Sequence, residues 1–283
     1  MKFRCAVTGA NGYLGSILSS GVKGPNIEVI PLIRGGKEPF HLKDGINAKY
    51  FLSNNINCLI HCAWDFNIAD NDEYQSTNLG GTVKLFNAAK EAGVGKMIFI
   101  SSMSAFENCR SRYGITKRNA ELFLMSMGVI IVRPGLVYGE KLRGMLGTFS
   151  RLVEASPIIP VVGGGKYVQY TTHEDDLVNL VKEIILLDGS VKDCPIVAAS
   201  SKGYSLREIF NALSGSSRSL IYIPIPWRFV WICLKIAEKI NLNLPLKSDS
   251  LIGLVFSDMS PSFEGLQSFK TKFRPFLNGG REK

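Results

Sequence analysis

The features that the sequence lacks exclude several classes of protein before any motif is considered. It has no uninterrupted stretch of about 18 uncharged apolar residues, so no segment is predicted to span a membrane. Its six cysteines contain no C-x-x-C pair, which disfavours a metal site and favours reduced thiols in the core. Because Met1 leads directly into an apolar run, we expect no signal peptide and a cytoplasmic protein.

The chain also lacks any run of lysines and arginines interleaved with aromatic residues, although it is strongly basic. A total of 33 Lys and Arg against 24 Asp and Glu gives a net charge of +9. Such a balance is typical of proteins that bind nucleic acid, anionic membranes or phosphorylated small molecules. Since the basic residues are spread along the chain, we expect no nucleic-acid partner and favour a small diphosphate ligand.

A glycine-rich turn follows the first predicted strand. The apolar run at 3–7 leads to Gly9, and Gly12 and Gly15 follow at equal intervals inside the start of a predicted helix. Free backbone N–H groups at such a helix start bind phosphate, and glycines permit the tight turn and the close approach. The spacing is G-x-x-G-x-x-G, whereas the common dinucleotide fingerprint is G-x-G-x-x-G. On this motif alone, a pyrophosphate site and a plain strand-to-helix turn are both open.

Apolar strands alternate with helices through the first half of the chain. Continuous apolar runs predict strands, and apolar residues at helical spacing predict the helices between them. Strands are expected at 3–7, 28–33, 57–63, 96–101 and 128–133, with helices at 70–92 and 111–127. This pattern predicts an α/β fold, a doubly wound parallel sheet covered by helices on both faces. Ligands of such sheets bind beyond the carboxyl ends of the strands.

The pattern changes after Pro134, where strands become sparse and prolines separate short helices. We interpret residues 1–139 as the nucleotide-binding domain and residues 140–283 as mainly substrate-binding. A strand predicted at 195–199 would be a late addition to the sheet, which would be completed by about residues 171–200. The C-terminal substrate domain is therefore expected to be smaller and partly interleaved with the first.

The residue at the end of the second strand bears on the choice of cofactor. In a dinucleotide-binding fold an acidic residue there binds the ribose 2′-hydroxyl of NAD, whereas an arginine pairs with the 2′-phosphate of NADP. This chain has Arg34 at that point and no acid directly after it. The cofactor is therefore expected to be NADP or NAD, with a slight preference for NADP, and a solvated arginine at a strand end is the alternative.

Polar residues suited to acid–base chemistry follow the strand at 96–101. Ser101 and Ser102 end that strand, and Tyr113 and Lys117 open the next helix four residues apart, on one helical face. A lysine ammonium near a phenol favours the phenolate and lowers the tyrosine pKa, so that Tyr113 can act as an acid or base near neutrality. A serine hydroxyl nearby can hold the substrate oxygen that exchanges the proton.

Together these motifs resemble the extended short-chain dehydrogenase/reductase family, especially its nucleotide-sugar epimerases, dehydratases and reductases. The resemblance covers nearly the whole chain, and in that family G-x-x-G-x-x-G is the expected form of the glycine turn. It implies a Rossmann-type domain, a nicotinamide dinucleotide cofactor and a nucleotide-linked sugar as substrate. The segments that carry it are 8–15, 61–63, 78–82, 101–102, 113–117, 133–139, 162–169 and 173–177.

The resemblance also implies roles for individual residues. Tyr113 would donate and accept the proton, and Lys117 would bind the nicotinamide ribose and lower the Tyr113 pKa. Ser102 would be the catalytic serine of the family, with Ser104 in reserve. The residues expected to bind the cofactor are Gly9, Asn11, Gly12, Tyr13, Gly15, Arg34, Asp44, Ala63, Asn78, Tyr113, Lys117 and Pro134. The residues expected to contact the substrate are Ser104, Arg143, Lys166 and Gln169.

Two departures from the family bear on the reaction. Only about ten residues separate Ser102 from Tyr113, fewer than the family often has, so the loop over the active site must be small. The 4,6-dehydratase branch follows its catalytic threonine with Asp-Glu. This chain has Met103 and Ser104 there, so a 4,6-dehydratase is not expected.

The predicted function is that of an NAD(P)-dependent epimerase or ketoreductase acting on a nucleotide-linked sugar, by a Tyr/Lys/Ser acid–base and hydride-transfer mechanism. The alternatives are a non-catalytic NADP-binding scaffold or redox sensor on the same fold, and a reductase of a non-sugar ketone. No metal is expected. A homodimer is expected, because the family often pairs through its two long mid-domain helices, here 70–92 and 111–127.

The helix predicted at 226–240 is apolar on one face and basic on the other. We interpret it as a helix that covers the smaller domain. A surface for a partner, or for a membrane that carries a lipid-linked sugar, is the less favoured alternative.

Overall fold

A computed structural model describes residues 2–35, 40–187, 189, 194–215, 218–242 and 244–276. At its centre is a six-stranded sheet in which neighbouring strands run parallel. In spatial order its strands are β2 (Ile27–Leu32), β1 (Phe3–Thr8), β3 (Cys58–His61), β4 (Lys96–Ile100), β5 (Ile130–Pro134) and β9 (Ile196–Ala198). The predicted α/β fold with a parallel sheet is confirmed.

Helices cover both faces of this sheet, which is why its strands are continuous apolar runs. One face carries α1 (Tyr13–Val22) and α7 (Glu174–Leu186), whose buried residues include Leu18, Leu177 and Val181. The other face carries α2 (Ala48–Ser53), α4 (Gly81–Glu91) and α5 (Arg112–Met125), whose buried residues include Phe51, Phe86 and Leu124. The sheet is therefore sandwiched between two apolar layers, and its carboxyl edge is the place left for polar groups.

The helix predicted at 70–92 is present, but it is not regular. Its first part, α3 (Asn71–Gln75), is joined to α4 by a wider π-helical turn, Ser76–Gly80. Turns of this kind occur frequently at functional sites. Here the turn contains Asn78, whose side chain is fully buried.

The remaining elements form a smaller unit with its own core around Phe149, Ile159 and Phe210. Its sheets are a three-stranded one of β10 (Gly203–Ser205), β8 (Val168–His173) and β6 (Leu136–Tyr138), and a two-stranded one of β11 (Ile221–Ile225) and β7 (Ile158–Val162). Its helices are α6 (Gly144–Ala155), α8 (Leu206–Ser214), α9 (Trp227–Lys239) and α10 (Ser248–Val255), with a 3₁₀ turn at Gly163–Gly165. A second 3₁₀ turn, Glu264–Ser268, packs on β9 of the large sheet. The chain passes from β8 through α7 to β9 of the large sheet before it returns to β10.

Candidate active site

The glycine turn is closed by backbone contacts that leave no room for side chains. Gly9 has a φ of +65°, and a Cβ there would lie 2.8 Å from Ala63 Cα. A Cβ on Gly15 would lie 2.1 Å from the Gly9 carbonyl oxygen, which also accepts the Gly12 N–H at 2.8 Å. Helix α1 begins directly after Gly12, with no capping side chain and no acid in its first turn. Its free N–H groups and the positive end of its dipole therefore fit a pyrophosphate.

A buried histidine links the ends of β1 and β3 to α4. His61 Nδ1 lies 2.6 Å from Thr8 Oγ1, and His61 Nε2 lies 2.9 Å from Thr82 Oγ1. Thr8 Oγ1 also accepts the N–H groups of Cys62 and Ala63, so its own proton is directed at Nδ1 and the ring donates from Nε2. Burial lowers the pKa of His61 well below its ordinary value, which keeps the ring neutral. The network fixes the loop after β3 against the glycine turn.

The loop after β3 is held in place by Asn78. Its Oδ1 accepts the Asp65 N–H at 2.7 Å, and its Nδ2 donates to the Asp65 carbonyl at 3.0 Å. The Asp65 carboxylate in turn pairs with Arg34 at 2.7 Å, across the end of β1. The amide of Asn78 is thus engaged by this loop and fixes its shape, and the predicted role of Asn78 in cofactor binding stays a prediction.

The loop after β4 is tied to the neighbouring strand. Ser101 N–H donates to the Val132 carbonyl at 2.7 Å, and Met103 N–H donates to the Pro134 carbonyl at 3.0 Å. These bonds extend the pairing of β4 with β5 and hold Ser102 at the carboxyl edge, beside the end of β5. The Ser101 hydroxyl is buried with no hydrogen-bond partner among the described residues, which is typical of groups that a ligand or a water satisfies.

Helix α5 comes unusually close to the loop after β4. A Cβ on Gly114 would lie 2.2 Å from the Ser104 carbonyl oxygen, so only glycine fits at this position. The close approach brings Tyr113 to Ser102, whose side chain hydrogen-bonds to the phenol. The structure therefore brings together Ser102 and Tyr113 from the predicted catalytic set.

The N-terminus of α5 is capped by a residue from the far end of the sequence. Ser111 Oγ accepts the Gly114 N–H at 3.0 Å. The Asp249 carboxylate accepts the N–H groups of Arg112 at 2.6 Å and Tyr113 at 3.0 Å. Asp249 belongs to the first turn of α10, and its charge also suits the positive end of the α5 dipole. A residue of the smaller unit thus fixes the backbone of Tyr113.

Burial dominates the electrostatics of Tyr113 and Lys117. Lys117 Nζ donates to the Ile100 carbonyl at 2.8 Å and lies 5.9 Å from the centroid of the Tyr113 ring. Burial lowers the pKa of Lys117 to about 7. Burial raises the pKa of Tyr113, and the hydrogen bond with Ser102 offsets this only in part. The predicted lowering of the Tyr113 pKa by Lys117 is therefore not found. Tyr113 is therefore a neutral phenol.

An aromatic wall stands beside Tyr113. Trp64 meets the Tyr113 ring edge-on, with ring centroids 5.8 Å apart, and its indole N–H donates to the Tyr74 hydroxyl at 2.8 Å. Lys117 Nζ lies 4.0 Å from the centroid of the Trp64 ring. The exposed ring of Phe66 lies 5.4 Å from the Tyr113 ring, centroid to centroid. This wall provides an apolar surface against which a sugar or nicotinamide ring can pack.

Other predicted cofactor residues lie at the same edge of the sheet or near it. Asn11 is exposed in the turn before α1. Tyr13 is the first residue of α1, its hydroxyl donates to the Val137 carbonyl at 3.5 Å, and burial raises its pKa to about 12. Asp44 is exposed in a turn that its own N–H closes onto the His41 carbonyl. Its contact with an adenine stays a prediction.

The predicted substrate residue Arg143 lies beside the glycine turn. Its guanidinium carbon is 5.7 Å from the centroid of the Tyr13 ring. Both residues line a cleft of about 790 Å³ that also includes Glu174. This position favours a contact with the cofactor or the diphosphate of a substrate over a contact with a sugar.

The other predicted substrate residues have different surroundings. Gln169 is buried, and its Nε2 donates to the Leu254 carbonyl at 3.1 Å, so it joins β8 to α10. The structure gives Gln169 this packing role in place of the predicted substrate contact, because its amide is turned into the protein interior. Lys166 is exposed directly after the Gly163–Gly165 turn. Ser104 N–H donates to Ser102 Oγ at 3.1 Å, so Ser104 shapes the loop after β4.

Four residues of the site were not singled out from the sequence: Trp64, Gly114, Glu121 and Asp249. Glu121 follows Lys117 by one helical turn and accepts two hydrogen bonds from Arg133, the first from Nε at 2.9 Å, which locks α5 to β5. Trp64, Gly114 and Glu121 could have been found from the sequence, because each is close to a recognised motif. Trp64 follows the segment 61–63, Gly114 lies between Tyr113 and Lys117, and Glu121 comes four residues after Lys117. Asp249 has no such local signal, because it is 136 residues away from Tyr113.

The sequence matches the model of the NAD dependent epimerase/dehydratase family over residues 5–190. A UDP-glucose 4-epimerase from Vibrio cholerae is 28% identical over 245 residues, which cover 75% of this chain and 71% of that protein. The structure of UDP-glucose 4-epimerase from Thermus thermophilus in complex with NAD matches with a TM-score of 0.61 at 20% identity, covering 79% of this chain and 86% of that one. The structure of dTDP-4-dehydrorhamnose reductase from Bacillus anthracis in complex with NADP matches with a TM-score of 0.67 at 17% identity, covering 89% and 98%. These two structural likenesses show that the fold is shared.

Proposed function

This chain belongs to the NAD dependent epimerase/dehydratase family, and we propose that it is an epimerase that moves hydride at a carbinol carbon of a nucleotide-linked sugar. Its cofactor is a nicotinamide dinucleotide. The likeness to the Vibrio cholerae UDP-glucose 4-epimerase supports a UDP-hexose as the first substrate to test.

The observation that carries the proposal is the placement of an acid–base group beside a phosphate-binding turn. Ala63 lies against Gly9 of the turn, and the next residue, Trp64, contacts both Tyr113 and Lys117. One short loop therefore separates the two ends of the site. A dinucleotide bound by its pyrophosphate at the turn would bring its reactive ring to the Tyr113 end.

The side chains divide the chemistry between them. A bound nicotinamide dinucleotide supplies the carbon that accepts and returns hydride. Tyr113 gives its proton to a ketone oxygen, and as the phenolate it takes one from a hydroxyl. Ser102, hydrogen-bonded to the phenol, is placed to hold that same oxygen. Lys117 has a pKa of about 7, so both of its protonation states are accessible, and we propose that its ammonium holds the ribose of the bound cofactor.

A substrate screen tests the proposal. UDP-, GDP- and dTDP-linked hexoses would be incubated with the protein and either NAD or NADP. Epimer formation would be followed by proton NMR, and reduced cofactor by absorbance. We expect an epimer to form from a UDP-hexose with no net change in reduced cofactor. Cofactor binding without turnover of any sugar would contradict the proposal and support the non-catalytic scaffold.

A ketoreductase is the second candidate. The solved reductase is matched over 98% of its length and 89% of this chain, which is more of both chains than the solved epimerase shares. The neutral phenol of Tyr113 also suits proton donation to a ketone. A ketoreductase would consume NADH or NADPH in proportion to product, so the same absorbance record separates the two candidates.

The choice between NAD and NADP depends on Arg34. Its guanidinium is paired with Asp65 at 2.7 Å, so a 2′-phosphate would have to compete with that carboxylate. The ion pair weakens the preference for NADP that Arg34 gives in the sequence, and membership of the NAD dependent epimerase/dehydratase family favours NAD. We propose NAD, and affinities for both cofactors measured by calorimetry decide the question.

The remaining alternative is a reductase of a non-sugar ketone, which depends on an apolar pocket formed by α9. The inward residues of that helix pack with α10, and its other apolar residues are exposed. The structure therefore offers no support for such a pocket within the part of the chain that it describes.

A homodimer that pairs through the faces of α4 and α5 stays a proposal. Ile115, Leu122 and Phe123 of α5 are exposed, although they are large and apolar. Covering them against a second copy would remove this surface from water. Sedimentation of the wild type and of Leu122→Glu tests the arrangement. A dimer that persists in the variant would contradict it.

A further inference from the structure

The outward face of α9 carries an unbroken apolar stripe. Phe229, Ile232, Ile236 and Ile240 follow one another at intervals of three or four residues, which places them on one face. They are 61%, 50%, 57% and 67% exposed. Surface apolar residues are ordinarily scattered singly, and an aligned set of this kind indicates a binding surface.

This exposure does not come from a loosely attached helix. On its opposite face, Leu234 is buried and Trp227, Val230 and Trp231 pack with it against α10. Glu238 holds the start of α10 by accepting the Ser248 N–H at 2.7 Å and the Ser248 hydroxyl at 2.8 Å. The helix therefore cannot turn its outer stripe into the protein without giving up its own core.

The exposed charged side chains next to the stripe are all positive. Residues 218–247 contain five Lys and Arg and a single acid, Glu238. Glu238 is only part-exposed, and it is engaged by Ser248 and by Lys235, whose Nζ lies 3.7 Å from its carboxylate. Arg228, Lys235 and Lys239 lie one helical turn or two apart along the flank of the stripe, and all three are exposed. The surface is thus apolar and basic together.

We propose that this outer face of α9, named here the α9 face, docks the enzyme on an anionic lipid bilayer. An apolar stripe flanked by Lys and Arg is the pattern of helices that lie in the plane of a bilayer, with apolar residues below the headgroups and cations beside the phosphates. Among the described residues no helix is long and apolar enough to cross a membrane. The face lies beyond residues 5–190, which the family shares.

Charge is what favours lipid over a second copy of the chain. In a symmetric dimer built on the α9 face, Arg228, Lys235 and Lys239 of both copies would be crowded around one interface, where Glu238, already shared with Ser248, is the one acid on the same helix that pairs with any of them, namely with Lys235. An anionic bilayer supplies the missing charge and also accepts the apolar stripe.

Vesicle flotation of the 283-residue chain tests the proposal. Vesicles of phosphatidylcholine alone are compared with vesicles that contain phosphatidylglycerol as well, at low and high salt. The variants are Ile232→Glu with Ile236→Glu, and separately Arg228→Glu with Lys239→Glu. The matched control is Leu52→Glu. Leu52 is 59% exposed, as much as the residues of the stripe, but it belongs to α2, which covers the large sheet.

We expect the wild type and Leu52→Glu to float with anionic vesicles and to bind neutral vesicles at least about tenfold more weakly. Each double variant should lose at least about tenfold of its binding to anionic vesicles. Circular dichroism and cofactor affinity of each variant must match the wild type, which separates lost docking from lost folding. No binding to anionic vesicles overturns the proposal, as does equal loss in Leu52→Glu. A dimer that Ile236→Glu dissolves, with no vesicle binding, would assign the α9 face to a second copy.

Discussion

At the glycine turn the site is made of backbone, whereas at Tyr113 it is made of side chains. Gly15 rests on the carbonyl of Gly9, and Gly9 rests on Ala63, so the turn is fixed by contacts between main-chain atoms. Tyr113 is fixed by Ser102 and by the distant Asp249. A backbone turn is specified by the adjacent residues that form it. A side-chain cluster depends on residues from distant parts of the sequence, which meet only when the chain has folded.

The largest effect is expected where the turn has least room. Gly15→Ala places a Cβ 2.1 Å from the Gly9 carbonyl oxygen, so either α1 or β1 must move. We expect a loss of about 2–4 kcal/mol in the free energy of unfolding, and a loss of about 100-fold in NAD affinity. Urea unfolding and calorimetry measure both quantities.

Gly24→Ala is the matched control, because a Cβ there meets nothing within 4 Å. Its stability should stay within about 0.5 kcal/mol of the wild type. If Gly15→Ala were as well tolerated, the turn would not be a backbone-defined site.

The next largest effect is expected at the Tyr113 end of the site, which is made of side chains. Asp249→Ala removes two hydrogen bonds from the N-terminus of α5 and the charge that suits its dipole. We expect kcat to fall about 10–100-fold through displacement of Tyr113, with a loss of about 1–3 kcal/mol in stability. NAD affinity, set mainly at the turn, should change by less than about twofold.

Asp249→Asn keeps one acceptor oxygen and should give an intermediate kcat. Equal losses of kcat and of NAD affinity in the Asp249 variants would show that the two ends of the site are not held separately.

A variant of Lys117, beside Tyr113, is expected to change activity and stability in opposite directions. The pKa of Lys117 is about 7 in the folded protein, against an ordinary value of 10.5. Between pH 7 and pH 10.5 the lysine is therefore more fully protonated in the unfolded chain than in the folded protein. Stability therefore rises as pH increases from 7 towards 10.5. Lys117→Met should stabilise the protein by about 1–3 kcal/mol at pH 7 while abolishing turnover. The gain should shrink as the pH rises.

Unfolding in urea at pH 7 and pH 9 measures this change. A variant less stable than the wild type at pH 7 would show that Lys117 contributes more to packing and hydrogen bonding than its burial costs.

The smallest effect concerns the histidine network beneath the turn. Thr82→Val removes the acceptor of His61 Nε2, for a loss of about 1 kcal/mol. The pKa of His61 is lowered in the folded protein, so the unfolded chain takes up its proton first. Stability is therefore complete above about pH 6.5 and is lost as the pH falls below it. A His61→Gln variant without this acid sensitivity would confirm the source, and unchanged sensitivity would exclude it.

The same contrast explains what could be predicted from the sequence. The strands, the parallel sheet and the residues at 9–15 follow from local patterns, because each is encoded by adjacent or regularly spaced residues. The pairing of Tyr113 with Ser102 also follows, since both belong to recognisable segments. Asp249 could not be found, because its contact with α5 exists only once the smaller unit has folded onto the sheet. The direction of the Tyr113 pKa was missed because burial, which outweighs its neighbours, has no local sequence signal.

The most direct test of the account is a single-turnover measurement of hydride transfer in Tyr113→Phe. The NAD-loaded wild type and the variant would be mixed rapidly with a nucleotide-linked sugar that turns over in the screen. Cofactor reduction would be followed by absorbance, with NAD affinity measured in parallel. We predict unchanged NAD affinity and hydride transfer slower by about 10²–10⁴-fold, because the variant keeps the ring and loses the phenol oxygen that would take the proton of the sugar hydroxyl. Hydride transfer at the wild-type rate in Tyr113→Phe would contradict the account.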